Sequence, residues 1–225
     1  MGDKERLTPE AVAIRCAAEF ADGWLVNLGI GRPTLCSNFV PEGRSVVFHA
    51  QNGVIGYGRL AFEHEVDIHL INAGLQHVTL LPGAVTLDSA DAFAIARSGR
   101  LDAAVVGSYQ VSEKGDLSNY QLPNRKGGQL GGAMDVVTGS KRVFVMMDQT
   151  AADGSPRLLR QCTLPITARG VVTRVFTDVG VFDVGPEGFV LAEIVPGWSP
   201  DEVQKITEAT LIVSPNLREM DAGPR

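Results

Sequence analysis

Phe48-His49-Ala50-Gln51-Asn52-Gly53-Val54-Ile55-Gly56-Tyr57-Gly58 is the stretch around which the rest of this chain arranges itself. The residues before it, Ser45-Val46-Val47, run into Phe48 as a short apolar segment that reads as a buried strand. Asn52-Gly53 is a turn dipeptide whose residues both tolerate positive φ. Glycines at 53, 56 and 58 then read as a loop. A strand halted by such a turn leaves Gln51 and Asn52 at its carboxyl end, where open α/β sheets bind ligands. Glycines there bring backbone N–H groups close to a ligand with no Cβ between them. A lone Asn-Gly is otherwise only a tight turn, so the flanking sequence decides what this one does.

Upstream, Thr8-Pro9-Glu10 supplies an N-cap and a first-turn proline. The helix after it has an apolar face of Val12, Ile14, Cys16, Ala17 and Phe20 and ends near Asp22-Gly23. The apolar strand Trp24-Leu25-Val26-Asn27-Leu28 runs into the glycine-rich turn Gly29-Ile30-Gly31-Arg32-Pro33-Thr34, with a helix expected from Pro33. Strand, glycine turn and helix is an arrangement that cradles phosphate elsewhere. Here the third glycine of G-x-G-x-x-G and the Lys-Ser/Thr of a P-loop are both missing, which argues against a nucleotide site of either kind.

Downstream, Leu70-Ile71-Asn72-Ala73-Gly74 and Val78-Thr79-Leu80-Leu81-Pro82-Gly83 read as short strands about a turn. Asp88 or Ser89 caps a helix that Gly99 closes. Residues 101–107 and 143–147 are apolar on both faces, as strands of a covered parallel sheet are. Residues 112–132 are polar and glycine-rich, including Asn119, Asn124 and Gly127-Gly128. A loop of that length in a compact domain is usually functional or interfacial. Residues 171–176, 181–184 and 189–194 are consecutive strands, with Gly185-Pro186-Glu187-Gly188 as a hairpin turn between the last two. Ser199-Pro200-Asp201-Glu202 caps a helix expected to reach Thr210. Leu211-Ile212-Val213 reads as a final short strand, and the tail from Ser214 is expected to fray. The pattern predicts one domain over 1–225, an α/β open sheet with a C-terminal antiparallel addition.

Composition bounds the function. Hydrophobic residues make up 44% of the 225, enough for a core without staples. A net charge of −6 and no basic run longer than the pair Lys141-Arg142 argue against nucleic-acid binding. No apolar run approaches the roughly 20 residues of a membrane span. The charged start Met-Gly-Asp-Lys-Glu-Arg has no signal-peptide core, so the cytoplasm is expected. Cys16, Cys36 and Cys162 form no C-x-x-C pair and suit buried thiols in a reducing compartment. His64, His69 and His77 follow no metal-ligand spacing, and no metal is expected.

Three glycine-rich turns now stand in order: Asn27–Pro33, Asn52–Gly58 and Gly131-Gly132-Ala133-Met134-Asp135. With Leu70–Gly74, Asp88–Ala90, Val136–Gly139 and Leu164–Thr167 between and beyond them, the chain resembles the B (β) subunit of the family I CoA-transferases, 3-oxoacid type. The likeness runs from about Thr8 to Asn216. It implies a three-layer α/β fold, an open, mostly parallel sheet with helices on both faces, in a subunit that works with a separate A (α) subunit, as heterodimer or heterotetramer, on acyl-CoA and a short-chain carboxylic acid. Coenzyme A is then a substrate, and no permanently bound cofactor is implied. In that family a glutamate in S-E-N-G attacks the thioester and carries CoA as a glutamyl thioester, which is covalent catalysis by a charged nucleophile. The likeness places the catalytic positions at Gln51, Asn52 and Asn27, with backbone N–H groups near Gly132 and Ala133 as an oxyanion hole. It places CoA contacts at Gly29, Gly31, Gly53, Gly131 and Met134.

The nucleophile position is Gln51, and Ala50 stands where the family usually has serine. A carboxamide cannot form the anhydride, a loss on the order of 10⁶ in rate or about 8 kcal/mol of barrier. Leu75 stands where some members carry a CoA-binding lysine. Three readings of Gln51 stay open on the sequence alone. It is an engineered Glu→Gln replacement that traps a working transferase. It serves a hydrolase or decarboxylase, orienting water with His49 as base. Or the subunit is a non-catalytic partner.

Overall fold

The computed structural model describes residues 4–123, 130–221 and 223. Met1 to Asp3, Asn124, Gly127-Gly128 and the end of the tail lie outside the described residues. Thr8 caps α1 (Pro9–Ala17): its hydroxyl accepts from the Ala11 amide at 3.2 Å, and Pro9 fills a position where no amide partner is needed. Next come β1 (Leu25–Leu28), a 3-10 helix (Arg32–Asn38), β2 (Val47–His49), β3 (Val54–Leu60), β4 (Val78–Thr86), α2 (Ser89–Arg97) and β5 (Ala103–Gly107). The second half carries β6 (Gln110–Ser112), β7 (Leu117–Ser118), α3 (Ala133–Thr138), β8 (Val143–Met146) and β9 (Leu158–Leu159). It closes with β10 (Arg174–Phe176), β11 (Gly180–Gly185), β12 (Gly188–Ile194), α4 (Pro200–Lys205) and β13 (Ile212–Glu219).

Among the described residues ten strands share one sheet, ordered β13-β12-β11-β10-β8-β5-β1-β2-β3-β4. The five in the centre, β10 to β2, are parallel. The expected C-terminal antiparallel addition is β11 and β12, with β13 returning parallel to β12. A second antiparallel addition, β3 and β4, stands on the opposite edge.

Alternation along the central strands fills two layers of core. Ala103, Val105, Phe144, Met146 and Phe176 pack toward α1 and the 3-10 helix, where Val12, Cys16, Phe20 and Cys36 meet them. Val106, Val143, Val145 and Val175 face the other side and pack with Val137 of α3 and Val203 of α4. The three cysteines are buried free thiols.

The structure corrects several local expectations. Residues 53–58 are not an open loop: Asn52-Gly53 turns a hairpin, and Gly56 and Gly58 sit inside β3. Gly56 takes φ +81° at a register shift, and Gly58 lets Thr79 of β4 approach. Of residues 70–74, only Ile71 makes a β-bridge, to His77 across the turn. The segment 112–132 begins with ordered structure, since β6 and β7 join β9 in a small second sheet buried on the α3 side. The helix expected from Pro33 is a 3-10 helix, and α4 stops at Lys205 rather than Thr210. The tail from Ser214 is not frayed, because β13 runs to Glu219. Arg218 of β13 donates to Glu193 Oε1 at 2.6 Å, and Arg15 of α1 donates to Glu193 Oε2 at 2.7 Å. Burial raises the Glu193 carboxyl, and these two guanidinium groups outweigh it, so the group stays ionised. Removing Arg15 from its buried pair with Glu193 would cost about 3–5 kcal/mol, while the Arg218 arm is exposed and contributes less; through Glu193 the tail meets the first helix.

Candidate functional site

β1 lies at the point where the chain order reverses, with β2 on one side and β5 on the other. The carboxyl ends of strands at such a switch point leave a crevice that neither crossover covers. Asn27 and His49 pair in register across β1 and β2. The Asn27 carboxamide, almost fully buried, gives its Nδ2 hydrogens to His49 Nδ1 at 2.9 Å, to the His49 carbonyl at 3.0 Å and to Gln51 Oε1 at 3.1 Å.

His49 Nε2 lies 3.0 Å from the Ala92 carbonyl, which can only accept, so Nε2 carries the proton and Nδ1 is the acceptor for Asn27. The ring is neutral. Burial lowers its pKa from the ordinary value, against an opposing effect of the Ala92 bond. With both nitrogens bonded and no exposure, His49 has no lone pair to offer a ligand, and it is a positioning residue for Asn27.

The turn after β2 is fixed from three sides. Gly53 takes φ +116°, and a Cβ there would meet the Leu87 carbonyl oxygen at 2.1 Å, so glycine is required. The Leu87 amide donates to Gly53 O at 2.8 Å, and the Ser89 hydroxyl donates to Gln51 O at 3.1 Å. Asn52 Nδ2 donates to Ile71 O at 2.8 Å, outward from the crevice. Gln51 is thereby held at the carboxyl end of β2 with its amide toward Asn27.

Gly132 faces Gln51. A Cβ on it would stand 3.4 Å from Gln51 Cγ and 2.6 Å from the Phe93 ring. Gly132 caps α3, whose first hydrogen bond runs from the Val136 amide to Gly132 O at 3.0 Å. The amides of Gly132 and Ala133 therefore have no acceptor within the helix.

A cavity of about 450 Å³ occupies this crevice. Of the residues singled out from sequence, Asn27, Gly29, Gln51, Gly131, Gly132 and Ala133 line it. Asn52, Gly31, Gly53 and Met134 do not. Gly31 takes φ +89° on the exposed side of its loop, Gly53 serves the turn, and the Met134 carbonyl accepts from the Thr138 hydroxyl within α3. The cavity also has walls that sequence reading did not single out. Arg32 forms an ion pair with Asp148 across it. Asn119 donates to the Gly107 carbonyl at 3.1 Å and accepts from Thr167 at 2.8 Å. Arg157 enters from the segment before β9. These partners lie tens of residues apart, so only the Arg32 of the glycine turn and the Asn119 of the long polar segment carried any local signal.

Among the described residues no helix is long and apolar enough to cross a membrane, and no three His, Cys, Asp or Glu side chains are placed to share a metal ion.

Residues 10–205 match the family described as Coenzyme A transferase. The chain is 43% identical to the B subunit of the 3-oxoadipate CoA-transferase of Pseudomonas putida, over 92% of this chain and 98% of that protein. It is 42% identical to human mitochondrial succinyl-CoA:3-ketoacid coenzyme A transferase 2, over 96% of this chain, and it spans only 42% of the human protein. The structure of the acyl-CoA transferase YdiF from Escherichia coli O157:H7 superposes with a TM-score of 0.74 at 22% identity, over 98% of this chain and 44% of that one, a likeness of fold.

Proposed function

The chain belongs to the coenzyme A transferase family, and on that premise we propose that it is the B subunit of a heteromeric, 3-oxoacid-type enzyme completed by a separate A subunit. Its site is built for an acyl-CoA thioester and a short-chain carboxylic acid, with coenzyme A as part of the substrate rather than a bound cofactor, in the cytoplasm. The observation that carries this reading is Gln51, held by Asn27 and faced by Gly132 at the switch point of the sheet.

The roles follow from that geometry. The thioester carbonyl sits in the cavity beside the position-51 side chain. The Gly132 and Ala133 amides, lacking helical acceptors, are available to the oxygen that gains charge. A carboxylate at position 51 would accept the same Asn27 hydrogen bond and attack the thioester carbon. A carboxamide accepts that bond equally well, yet its nitrogen lone pair is delocalised and it carries no charge, so no anhydride forms. The site has the groups that position a nucleophile and lacks the nucleophile itself. His49 cannot take its place as a base, because both its nitrogens are already bonded.

Binding tests the reading separately from turnover. The chain co-expressed with an A-type CoA-transferase subunit is titrated calorimetrically with acyl-CoA thioesters. A one-to-one site that retains intact thioester is expected. No binding of any short-chain acyl-CoA by a well-formed complex would sink it.

A further inference from the structure

Val106, Gly107, Ser108 and Tyr109, the carboxyl end of β5 and the residues just after it, form one continuous wall of the cavity. Gly107 is the last residue of β5, and its carbonyl accepts from Asn119 Nδ2 at 3.1 Å. Farther along, the Tyr109 amide donates to Ser118 O at 2.9 Å, and the Ser108 hydroxyl donates to the same carbonyl at 3.1 Å. Two neighbouring residues, Ser118 and Asn119, therefore hold this wall, and Asn119 itself lines the cavity.

Thr167, 48 residues beyond Asn119 in the chain, fixes it in place. The Thr167 hydroxyl donates to Asn119 Oδ1 at 2.8 Å and accepts from the Asn119 amide at 3.0 Å. With Oδ1 taken by a donor, Nδ2 is the end of the carboxamide left for the Gly107 carbonyl. Its second hydrogen bonds to no described residue. Thr167 is buried and does not line the cavity. Its own amide donates to Leu117 O at 2.7 Å, and Gln110 Oε1 grips the turn before it by accepting from the Thr163 and Leu164 amides at 2.9 and 3.0 Å. The hydroxyl is thus presented to Asn119 from a rigid support.

We propose that Thr167 is a positioning residue for acyl-CoA binding: by holding the Asn119 carboxamide against Gly107, it sets the β5 wall of the cavity. This rests on the reading of the cavity as the acyl-CoA site. Without the hydroxyl, Asn119 Oδ1 and the Asn119 amide both lose their partner, nothing then selects which end of the carboxamide faces Gly107, and the wall loosens.

The complex with an A-type subunit is titrated calorimetrically with butyryl-CoA. Thr167→Val, which keeps nearly the same shape and removes the hydroxyl, is expected to weaken binding about tenfold. Thr167→Ser, which keeps the hydroxyl, is expected to stay within about twofold of the parent. Asn119→Ala is expected to weaken binding to a similar degree, and adding Thr167→Val to it is expected to change affinity by less than about twofold, because the hydroxyl acts through Asn119. A hydroxyl that served only the stability of its turn would lower the Tm of Thr167→Val and leave the affinity of the folded complex unchanged; that result overturns the proposal, as do additive losses in the double variant. Should Thr167→Val fail to assemble, Asn119→Ala at parental affinity overturns it alone. A parent that binds, with variants that bind equally, removes this inference only, whereas a well-formed parent complex that binds no butyryl-CoA removes the acyl-CoA reading and this inference with it.

Discussion

Asn27 donates to Gln51 Oε1 at 3.1 Å from the same amide nitrogen that lies 2.9 Å from the His49 ring. One carboxamide therefore couples a buried histidine to the side chain at the mouth of the cavity. Asn27→Ala would leave His49 Nδ1 without a donor in a site closed to water, at a cost of about 1–3 kcal/mol. It would also release Gln51 from its orientation. Denaturant unfolding and acyl-CoA titration of the variant are expected to show lower stability together with weaker binding. Stability within about 0.5 kcal/mol of the parent would contradict the coupling.

The neutral His49 gives the fold a pH dependence. Burial lowers its pKa in the folded chain, while the unfolded chain titrates near the ordinary value of about 6.5. Between the two values the unfolded state binds more protons, so this contribution to stability is full above about pH 6.5 and falls as the pH drops toward the folded pKa. Thermal unfolding between pH 7.5 and about 5.5 is expected to show a loss that His49→Gln reduces. An identical slope in parent and variant would show that His49 is not the group responsible.

Gly132 is needed for space rather than for backbone freedom, since its φ of −69° suits any residue. A Cβ there lies 2.6 Å from the Phe93 ring, so Gly132→Ala must displace that ring or tilt the start of α3. Overpacking of this kind costs about 1–3 kcal/mol. Calorimetry is expected to show reduced acyl-CoA affinity in Gly132→Ala and recovery in Gly132→Ala with Phe93→Leu. Undiminished affinity in the single variant would argue against close approach of α3 to the site.

Much of the fold was legible because local chemistry and tertiary structure agree. Thr8-Pro9 and Asp88 cap their helices as their side chains require, and the apolar strands 103–107 and 143–146 occupy the covered centre of the sheet. The glycines at 56 and 58 misled because glycine punctuation signals a loop, whereas here each admits a close neighbour within the β3–β4 pair, Ala84 at one and Thr79 at the other. The tail was misread, because it is held through Glu193, whose two arginine partners lie 178 and 25 residues away from it, beyond any local pattern. Asn27, Gln51 and Gly132 stood at strand ends or glycine turns, and the structure brings these three together at one crevice. Asp148 and Arg157 stand in polar loops whose place beside the cavity is decided by the order of strands, which no local pattern encodes.

Position 51 carries a carboxamide where the proposed chemistry calls for a nucleophilic carboxylate, and this is the point on which the proposed function turns. The direct measurement is exchange of isotopic label between acyl-CoA and free acid, catalysed by the complex with Gln51 and with Gln51→Glu. The glutamate variant is expected to exceed the parent by about 10⁴-fold or more in kcat, with a glutamyl-CoA thioester detectable by mass spectrometry. Exchange by the Gln51 complex at a rate comparable to that of the glutamate variant would contradict it.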